Sequence, residues 1–459
     1  MNYDYLTSIS PIDGRYFEKT NFFREIFSEY SFLKFRLKIE IEWLKKLSRI
    51  NEICELPTFN NDENNFLNKI EKEFSKMDAL WIKSSEKKTN HDVKSLEYFL
   101  KKKINSFKNL KLISEFVHFS CTSEDINNLS YGLMLKKSKE ELLLPIWEKI
   151  ISKIKNLVNL YKDVPILSRT HGQAATTSTF GKEMSIFLHR LNRQKKQLKN
   201  IKILGKFNGS TGNYNSHFIA YPNVDWRKVS KEFVSSLGLE WNPYTTQIEP
   251  HDYISELFSC IVRFNLVLLD FNKDIWSYIS MNYLVQKKVV DTIGSSVMPH
   301  KINPIDFENS EGNLGLSNSI MIHMIKKLMI SRLQRDLSDS TVLRNIGVAL
   351  SYSYIAYNFS LIGIKKIKLN KKEVLEDLNK HWEILSEPIQ TIMRKYKIHN
   401  SYEKMKLFTQ GKKINKKILH VFISKLKIPT FEKEKLKQLT PENYLGLSRE
   451  IVNDCLKLN

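Results

Sequence analysis

Residues 251–293 read HDYISELFSCIVRFNLVLLDFNKDIWSYISMNYLVQKKVVDTI, and they contain neither glycine nor proline. Apolar side chains recur at the spacing of one helical face, as at Ile254, Leu257, Phe258 and Ile261. At 1.5 Å per residue, a helix over the whole stretch would be about 60 Å long. Apolar residues cover more than one narrow stripe, which predicts burial on several sides. The stretch therefore predicts a long helix at the centre of an all-α protein.

Other stretches with the same spacing extend outward from this one, at about 125–161, 182–204 and 313–369. Pro145 lies inside the first of them and predicts a kink or break. Only 15 glycines and 12 prolines occur in 459 residues, so turns are sparse and helices long. Several long helices joined by polar loops predict a helical bundle as the central domain.

The chain divides into three predicted helical domains. Residues 1–111 carry shorter helical segments, with a break at LPTFNNDENN. Residues 112–367 contain the long stretches, and residues 368–459 return to short helices separated by prolines.

Composition excludes several classes of protein. Apolar residues make up 42% of the chain, so it is neither disordered nor membrane-spanning by composition, and no apolar run approaches the roughly 18 residues of a membrane helix. The first residues lack the features of a secretory signal, and the four scattered cysteines form no CxxC pair. We expect a cytoplasmic protein with reduced thiols and no membrane partner.

The net charge of +22 has two interpretations. The chain has 72 basic and 50 acidic residues. In the first interpretation, this excess of positive charge serves a surface that binds nucleic acid or a site that binds an anionic substrate. Lysine, isoleucine and asparagine are nevertheless abundant throughout, and the lysines follow amphipathic stretches. We favour solvated helix faces, without a nucleic-acid partner. A small anionic substrate would benefit from the positive field in either case.

Four polar clusters interrupt the helical pattern, and each is either an ordinary cap or turn or one part of a divided active site. Thr122-Ser123-Glu124-Asp125 is typical of a helix N-terminus with an acidic residue at N3, although such a terminus also binds carboxylates. His171 is flanked by Arg169, Thr170 and Gln173, which can supply partners that fix its tautomer. The clusters are TNHDVKSLEYFL at 89–100, CTSEDINN at 121–128, SRTHGQAATTST at 168–179 and GSSVMPHKINP at 294–304.

The last cluster differs in kind from the other three. Its two prolines restrict Met298 and Asn303, so the segment cannot easily be helical. We expect an exposed loop after the long helix, carrying serine, lysine and asparagine side chains.

The string GSSxMPxKxNP resembles the signature of the fumarase/aspartase superfamily. The strings TNHDVKSLEYFL, FVHFSCTSEDINN, LSRTHGQ, KFNGSTGNYN, WNPYTTQIEPHDY and QRDLSDSTVLRN look like the adenylosuccinate lyase family, in its longer bacterial type that begins SPIDGRY. The resemblance runs from Ser10 to about Lys404. It implies a three-domain fold whose central long-helix bundle is shared in a homotetramer, with active sites shared between subunits.

The resemblance also implies a reaction. Members of that family are carbon-nitrogen lyases of purine nucleotide biosynthesis, on the routes to IMP and AMP. They release fumarate by β-elimination from adenylosuccinate, leaving AMP, and from the ribotide SAICAR, leaving AICAR. Carried over by position, Ser295 would be the general base and His171 the general acid. The substrate-binding residues would be Arg15, Tyr16, Asn90, His91, Asp92, Thr122, Ser123, Gln247, Lys301, Asn303, Arg335, Ser340 and Arg344.

One departure from the family pattern lies after His171. Relatives usually read HGQPATPST, whereas Ala174 and Thr177 stand at the two proline positions here. We expect less backbone stiffness there, with the reaction retained.

Two alternatives stay open. Another lyase of the superfamily, such as argininosuccinate lyase or fumarase, is disfavoured by Arg335, Ser340 and Arg344, since those substrates lack a phosphate. A nucleic-acid-binding or purely structural protein is disfavoured because both the acid and the base are present. No metal-ligand spacing or dinucleotide-binding glycine motif occurs, so we expect neither a metal nor a cofactor.

Overall fold

The structure is a computed structural model, and it describes residues 5–287, 297, 298 and 300–458. The predicted catalytic loop, 294–304, is therefore described only in part. Ser295, the predicted general base, lies outside the described residues, whereas Lys301 and Asn303 lie within them.

Helices make up most of the described chain, in agreement with the predicted all-α class. A π-helical segment covers Ser138–Leu143, and short 3-10 helices occur at Tyr5–Thr7, Ser114–Phe116 and Trp382–Leu385. The α-helices are α1 (Phe17–Phe27), α2 (Glu29–Leu47), α3 (Asn61–Lys72), α4 (Lys76–Thr89), α5 (Asp92–Ile104), α6 (Lys108–Lys111), α7 (Ser123–Lys137), α8 (Leu144–Leu160), α9 (Phe180–Asn200), α10 (Asn215–Ala220), α11 (Trp226–Ser236), α12 (Asp252–Ser280), α13 (Ile305–Leu328), α14 (Ser338–Leu343), α15 (Ile346–Lys366), α16 (Lys371–Asn379), α17 (Ser386–Lys395), α18 (Ser401–Thr409), α19 (Lys416–Lys425), α20 (Thr430–Lys437) and α21 (Ser448–Leu458).

Strands occur only in pairs within the described residues. The longest pair is an antiparallel hairpin, in which Pro165 is opposite Thr179 and Thr170 is opposite Gln173. The strands are β1 (Pro165–Thr170) with β2 (Gln173–Thr179), β3 (Leu204–Gly205) in parallel with β4 (Glu240–Trp241), and β5 (Leu284–Gln286) antiparallel to β6 (Ile367–Leu369).

Helix α12 forms where the apolar spacing predicts it, but it is shorter than the uninterrupted stretch allows. It has 29 residues, which corresponds to about 43 Å. Asn282 adopts the left-handed conformation, with φ of 58°. The Tyr283 N–H then bonds to the Tyr278 carbonyl at 2.9 Å and the Asn282 N–H to the Ile279 carbonyl at 3.0 Å. This Schellman arrangement satisfies the last carbonyls and directs the chain into β5.

The irregularity predicted at Pro145 is confirmed. Proline lacks an N–H and its ring collides with the carbonyl four residues earlier. The π-helical segment Ser138–Leu143 lies immediately before α8, which begins one residue ahead of Pro145. The wider turn accommodates the proline without ending the helical path.

The stretch 313–369, which the apolar spacing predicts to be helical, is divided in the structure into α13, α14, α15 and the strand β6. The chain leaves helix after α13 and resumes at α14, because side chains bond to the backbone between them. The Asp336 carboxylate accepts the N–H groups of Arg332 at 3.0 Å and Ser338 at 2.8 Å, and the Ser331 hydroxyl accepts that of Asp336 at 3.2 Å. Such bonds compete with the helical ladder, and they create the segment that carries Arg335.

Contacts divide the chain into two compact units. In unit 1, Trp43 packs against Phe207, with ring centroids 4.2 Å apart. In unit 2, a buried cluster that includes Leu378, Met393 and Ile423 packs with Leu167 of β1. This division differs in kind from the three segments that the sequence suggests, which stay a prediction. Unit 1 comprises Met1–Ile146, Lys196–Asn265 and Gly312–Ala356, and unit 2 comprises Trp147–Lys195, Leu266–Glu311 and Tyr357–Asn459.

Candidate active site

The predicted site residues fall into both units. His171, Lys301 and Asn303 belong to unit 2, and Ser295 is outside the described residues. The remainder belong to unit 1, and they are Arg15, Tyr16, Asn90, His91, Asp92, Thr122, Ser123, Gln247, Arg335, Ser340 and Arg344.

Arg335 is the centre of the best-formed group in unit 1. Its guanidinium donates to the Gln247 side-chain oxygen at 3.2 Å, to the Glu124 carboxylate at 3.2 Å and to the Ser340 hydroxyl at 3.4 Å. Gln247 in turn donates to the Ser210 carbonyl at 3.1 Å. The structure thus brings Gln247 together with Arg335, which lies 88 positions later in the sequence, and with the nearby Ser340. Arginine, serine and glutamine are residue types that bind a phosphate or another oxyanion.

Ser340 is positioned by a hydrogen bond to the buried carboxylate of Asp339. Its backbone N–H donates to the Asp339 carboxylate at 2.6 Å, and the other Asp339 oxygen lies 3.5 Å from His251 Nε2. Burial acts to raise the pKa of Asp339, but the nearby His251 and the positive charge of Arg335 hold that pKa below the usual value. Asp339 therefore stays ionised and fixes the first turn of α14.

Arg344 directly follows α14, in the right-handed helical conformation. The spacing from Ser340 is thus still helical, as the four-residue interval predicts. The Arg344 guanidinium is half exposed, and it donates to the Glu29 carboxylate at 3.2 Å and lies 4.0 Å from that of Asp92.

Asn90, His91 and Asp92 form the tight connection between α4 and α5. Asn90 ends α4 in the left-handed conformation with φ of 53°, a geometry that asparagine tolerates. The exposed His91 is the N-cap of α5, and its Nδ1 accepts the Lys94 N–H at 3.1 Å. A neutral ring that accepts at Nδ1 carries its proton on Nε2.

Asp92 is paired with a buried arginine. The Arg36 guanidinium donates to the Asp92 carboxylate at 2.6 Å, and the Val93 N–H donates to its other oxygen at 2.8 Å. Burial acts to raise the pKa of Asp92, but Arg36 and these hydrogen bonds keep that pKa below the usual value. Arg36 was not predicted as a site residue, because nothing in its local spacing distinguishes it from the rest of α2.

The N-terminus of α7 has the geometry that its sequence predicts. Thr122 is the N-cap, and its N–H donates to the Asp125 carboxylate at N3 with a distance of 2.9 Å. Asp125 also accepts the N–H groups of Asn208 at 3.0 Å and Gly209 at 3.1 Å. Ser123 is the first residue of the helix, where free N–H groups favour an anion.

Arg15 and Tyr16 lie just before α1. Arg15 is exposed, and Tyr16 is partly buried at the N-cap position. The Tyr16 N–H bonds to the Pro11 carbonyl at 2.8 Å, which closes the turn at the DGRY segment.

His171 lies at the tip of the β1–β2 hairpin. His171 and Gly172 both have positive φ, of 53° and 76°, and the residues that flank them are paired. Two consecutive left-handed residues form a type I′ turn, which matches the twist of the strands. The turn exposes the imidazole at the end of the hairpin.

Arg169 was expected to supply a hydrogen-bond partner for His171, but the structure shows it bonded to other residues. Its guanidinium donates to the Asp377 carboxylate at 2.5 Å and to the Tyr283 hydroxyl at 2.9 Å. Asp377 is also hydrogen-bonded to that hydroxyl. Arg169 thus holds the end of β1 within unit 2, because its guanidinium is paired with the Asp377 carboxylate.

The two positions at which the family resemblance implies proline are occupied by residues of β2. Ala174 is opposite Arg169, and Thr177 is opposite Leu167. The buried Thr177 hydroxyl donates to the Pro441 carbonyl at 2.8 Å. A side-chain bond therefore holds this strand to the C-terminal segment.

The described residues of the predicted loop are not helical, and most of them are exposed, as expected. The Lys301 N–H bonds to the Met298 carbonyl at 3.1 Å, and Gln286 donates to the Ile302 carbonyl at 3.1 Å. Lys301 is exposed, and Asn303 is partly buried just before Pro304 and α13.

Comparisons with known proteins identify the group to which these features belong. A family model described as "Lyase" matches residues 14–317, and a second, described as "Adenylosuccinate lyase C-terminal", matches residues 331–445. A protein named adenylosuccinate lyase, from Buchnera aphidicola subsp. Baizongia pistaciae, is 61% identical to this chain over 97% of both chains. The corresponding protein of Escherichia coli K12 is 54% identical over 98% of both chains.

Solved structures show the same fold at low sequence identity. A fumarate lyase from Mesorhizobium has a TM-score of 0.78 and 16% identity, and it covers 96% of this chain and 98% of its own. A β-carboxy-cis,cis-muconate cycloisomerase from Acinetobacter calcoaceticus has a TM-score of 0.73 and 14% identity. The two family matches together cover most of the chain, and the chain therefore belongs to the adenylosuccinate lyase family of the fumarase/aspartase superfamily.

Proposed function

We propose that this lyase releases fumarate from adenylosuccinate, giving AMP, and from SAICAR, giving AICAR. The observation that carries the proposal is the convergence of Gln247 and Ser340 on Arg335 in unit 1. This group suits a phosphate, which both substrates carry. Argininosuccinate and malate lack a phosphate, so the alternative lyases of the superfamily would have no use for it.

The proposed chemistry is a β-elimination in two proton transfers. A base removes a proton from the succinyl carbon beside a carboxylate, and an acid protonates the departing nitrogen. By family resemblance, we assign the base to Ser295 and the acid to His171. Histidine suits the second role because its pKa lies near neutrality, and the exposed hairpin tip leaves its ring accessible.

A serine hydroxyl is a weak acid, so Ser295 needs help to act as a base. A nearby cation and oriented N–H donors favour its ionised form, and Lys301 of the same loop is the candidate cation.

We assign substrate binding by the same residue-by-residue resemblance. Thr122 and Ser123 would bind a carboxylate at the start of α7, with Lys301 and Asn303 on the succinyl group. Arg335, Ser340 and Arg344 would bind the phosphate. The nucleotide and the rest of the substrate would contact Arg15, Tyr16, Asn90, His91, Asp92 and Gln247.

We further propose a homotetramer whose active sites are shared between subunits. Large apolar side chains on the long helices support this, since Leu266 of α12 is 50% exposed and Leu316 of α13 is 53% exposed in the single chain. Burial of such residues against identical helices would stabilise a symmetric assembly.

We also propose the cytoplasm as the location of this protein. Every helix in the described residues is too short or too polar to cross a membrane.

The test is direct. Purified protein is given adenylosuccinate, and AMP formation is followed by the change in ultraviolet absorbance. Turnover of adenylosuccinate and of SAICAR is expected, with none of argininosuccinate. Turnover of argininosuccinate without that of adenylosuccinate would refute the proposal.

A further inference from the structure

Glu124 lies in the first turn of α7, where acidic residues are common, but unlike most of them it is buried. Such residues interact favourably with the helix dipole while they remain exposed to solvent. Glu124 is only 3% exposed, and one of its carboxylate oxygens accepts two hydrogen bonds. The donors are Asn127 at 2.8 Å and Arg335 at 3.2 Å.

The hydrogen bond to Glu124 orients the Arg335 guanidinium, which has further N–H groups available for a ligand. Arg335 donates to Gln247, Glu124 and Ser340, which uses three of its five N–H groups among the described residues. The Glu124 and Gln247 bonds hold the two terminal nitrogens in fixed directions. An arginine held in this way can present its other N–H groups to an oxyanion with little loss of conformational entropy.

A buried chain of side chains extends from Glu124 to Asp92. Asn127 donates to Glu124 and accepts from Arg36 Nε at 2.9 Å, and Arg36 donates to Asp92 at 2.6 Å. Arg36 is 2% exposed, and its guanidinium lies 3.9 Å from the ring centroid of Phe32. The chain therefore joins the segment expected to contact the nucleotide with the arginine expected to contact the phosphate.

We infer that Glu124 is a positioning residue, which holds Arg335 in place for the 5′-phosphate of the nucleotide. The inference rests on the proposed function. Glu124 acts through its acceptor oxygen and makes no contact with the substrate itself. A glutamine at this position keeps an acceptor oxygen, whereas an alanine removes it. The two substitutions thus separate orientation of Arg335 from the charge of the carboxylate.

The experiment compares Glu124→Ala and Glu124→Gln with the wild-type tetramer. Binding of AMP and of adenosine is measured by calorimetry, together with kcat and KM for adenylosuccinate. We expect Glu124→Ala to weaken AMP binding and raise KM by roughly 10- to 100-fold, with kcat within a few-fold and adenosine binding unchanged. Glu124→Gln should stay within a few-fold of wild type.

Glu432→Ala is the matched control, because Glu432 is a buried carboxylate of unit 2 that accepts from Lys395 at 2.7 Å. It should leave AMP binding unchanged. Equal losses for AMP and adenosine in Glu124→Ala, or wild-type AMP affinity, would overturn the inference. If wild-type protein failed to turn over adenylosuccinate, the proposed function would fall, and the AMP and adenosine affinities would still decide the role of Glu124.

Discussion

Lys206 Nζ lies 2.9 Å from the Asp125 carboxylate, and neither side chain has any solvent exposure. The ammonium also donates to the Gly209 carbonyl at 3.1 Å, and the carboxylate accepts three backbone N–H groups from Thr122, Asn208 and Gly209. The pair therefore joins the segment 206–209 to the N-terminus of α7, where Thr122 and Ser123 lie.

Removing either partner of this pair should destabilise unit 1 strongly. Lys206→Met leaves a buried carboxylate without its cation, and Asp125→Asn leaves a buried ammonium without its anion. Each should lower the free energy of unfolding by about 3–5 kcal/mol, measured by urea titration. The double variant should lose less than the sum of the two, because it leaves no unpaired charge. Additive losses would contradict the pairing.

Substitution of the proposed acid and base should abolish turnover without unfolding the protein. His171→Asn is the better variant of the acid, because asparagine tolerates the φ of 53° in the hairpin turn. We expect His171→Asn and Ser295→Ala each to lower kcat by at least about 100-fold. Thermal unfolding and size-exclusion chromatography should match wild type. A rate near wild type in either variant would refute the role of that residue.

Shared active sites predict that the two inactive variants complement each other. If His171 and Ser295 of one site come from different chains, hybrid tetramers contain some sites with both native residues. Mixing His171→Asn with Ser295→Ala after reversible dissociation should restore part of the activity. Hybrids that form, as shown by tags of different mass, but stay inactive would indicate that both residues come from the same chain.

The sequence was sufficient for elements that depend on local spacing, and insufficient where distant residues meet. Apolar periodicity predicted the start of α12, whereas its end depends on a left-handed Asn282 that the composition barely signals. The polar cluster at 168–179 was not predicted to be a hairpin, because its strands lack clear alternation. The bond between Glu124 and Arg335 joins residues 211 positions apart, so no spacing rule can reveal it.

The motif resemblance supplied the candidate site residues, and the structure adds the residues that hold them in place. Gln247, Arg335 and Ser340 were predicted, and they lie together. Arg36 and Asp339, which fix their neighbours, were missed because a buried charge in a helix resembles any other charged residue in a sequence so rich in lysine.

Thr177→Val should test the hydrogen bond that holds the hairpin to the C-terminal segment. Valine has nearly the same shape but cannot donate to the Pro441 carbonyl. We expect a loss of about 1–2 kcal/mol in the free energy of unfolding, because a buried acceptor loses its partner. Turnover should stay within a few-fold, since His171 keeps its turn. Unchanged stability would show that water satisfies the carbonyl.

His217 should make the protein sensitive to acid. Its ring is fully buried among Trp43, Phe207, Tyr214 and Trp226, and neither ring nitrogen has a hydrogen-bond partner in the described part of the chain. Burial lowers the pKa of His217 from 6.5 to about 4, with Asp125 opposing this shift and Lys206 adding to it.

The unfolded chain therefore takes up a proton near pH 6.5, while the folded protein resists protonation until about pH 4. Stability from the neutral ring is complete above pH 6.5 and is lost as the pH falls towards 4. The loss amounts to about 3 kcal/mol, because the free energy follows the difference between the pKa values of the folded and unfolded states. His217→Phe keeps an aromatic ring in the same cluster and removes the titrating group. Urea titrations at pH 7.5 and 4.5 should show a smaller loss of stability in this variant, and an equal loss in both proteins would contradict the assignment.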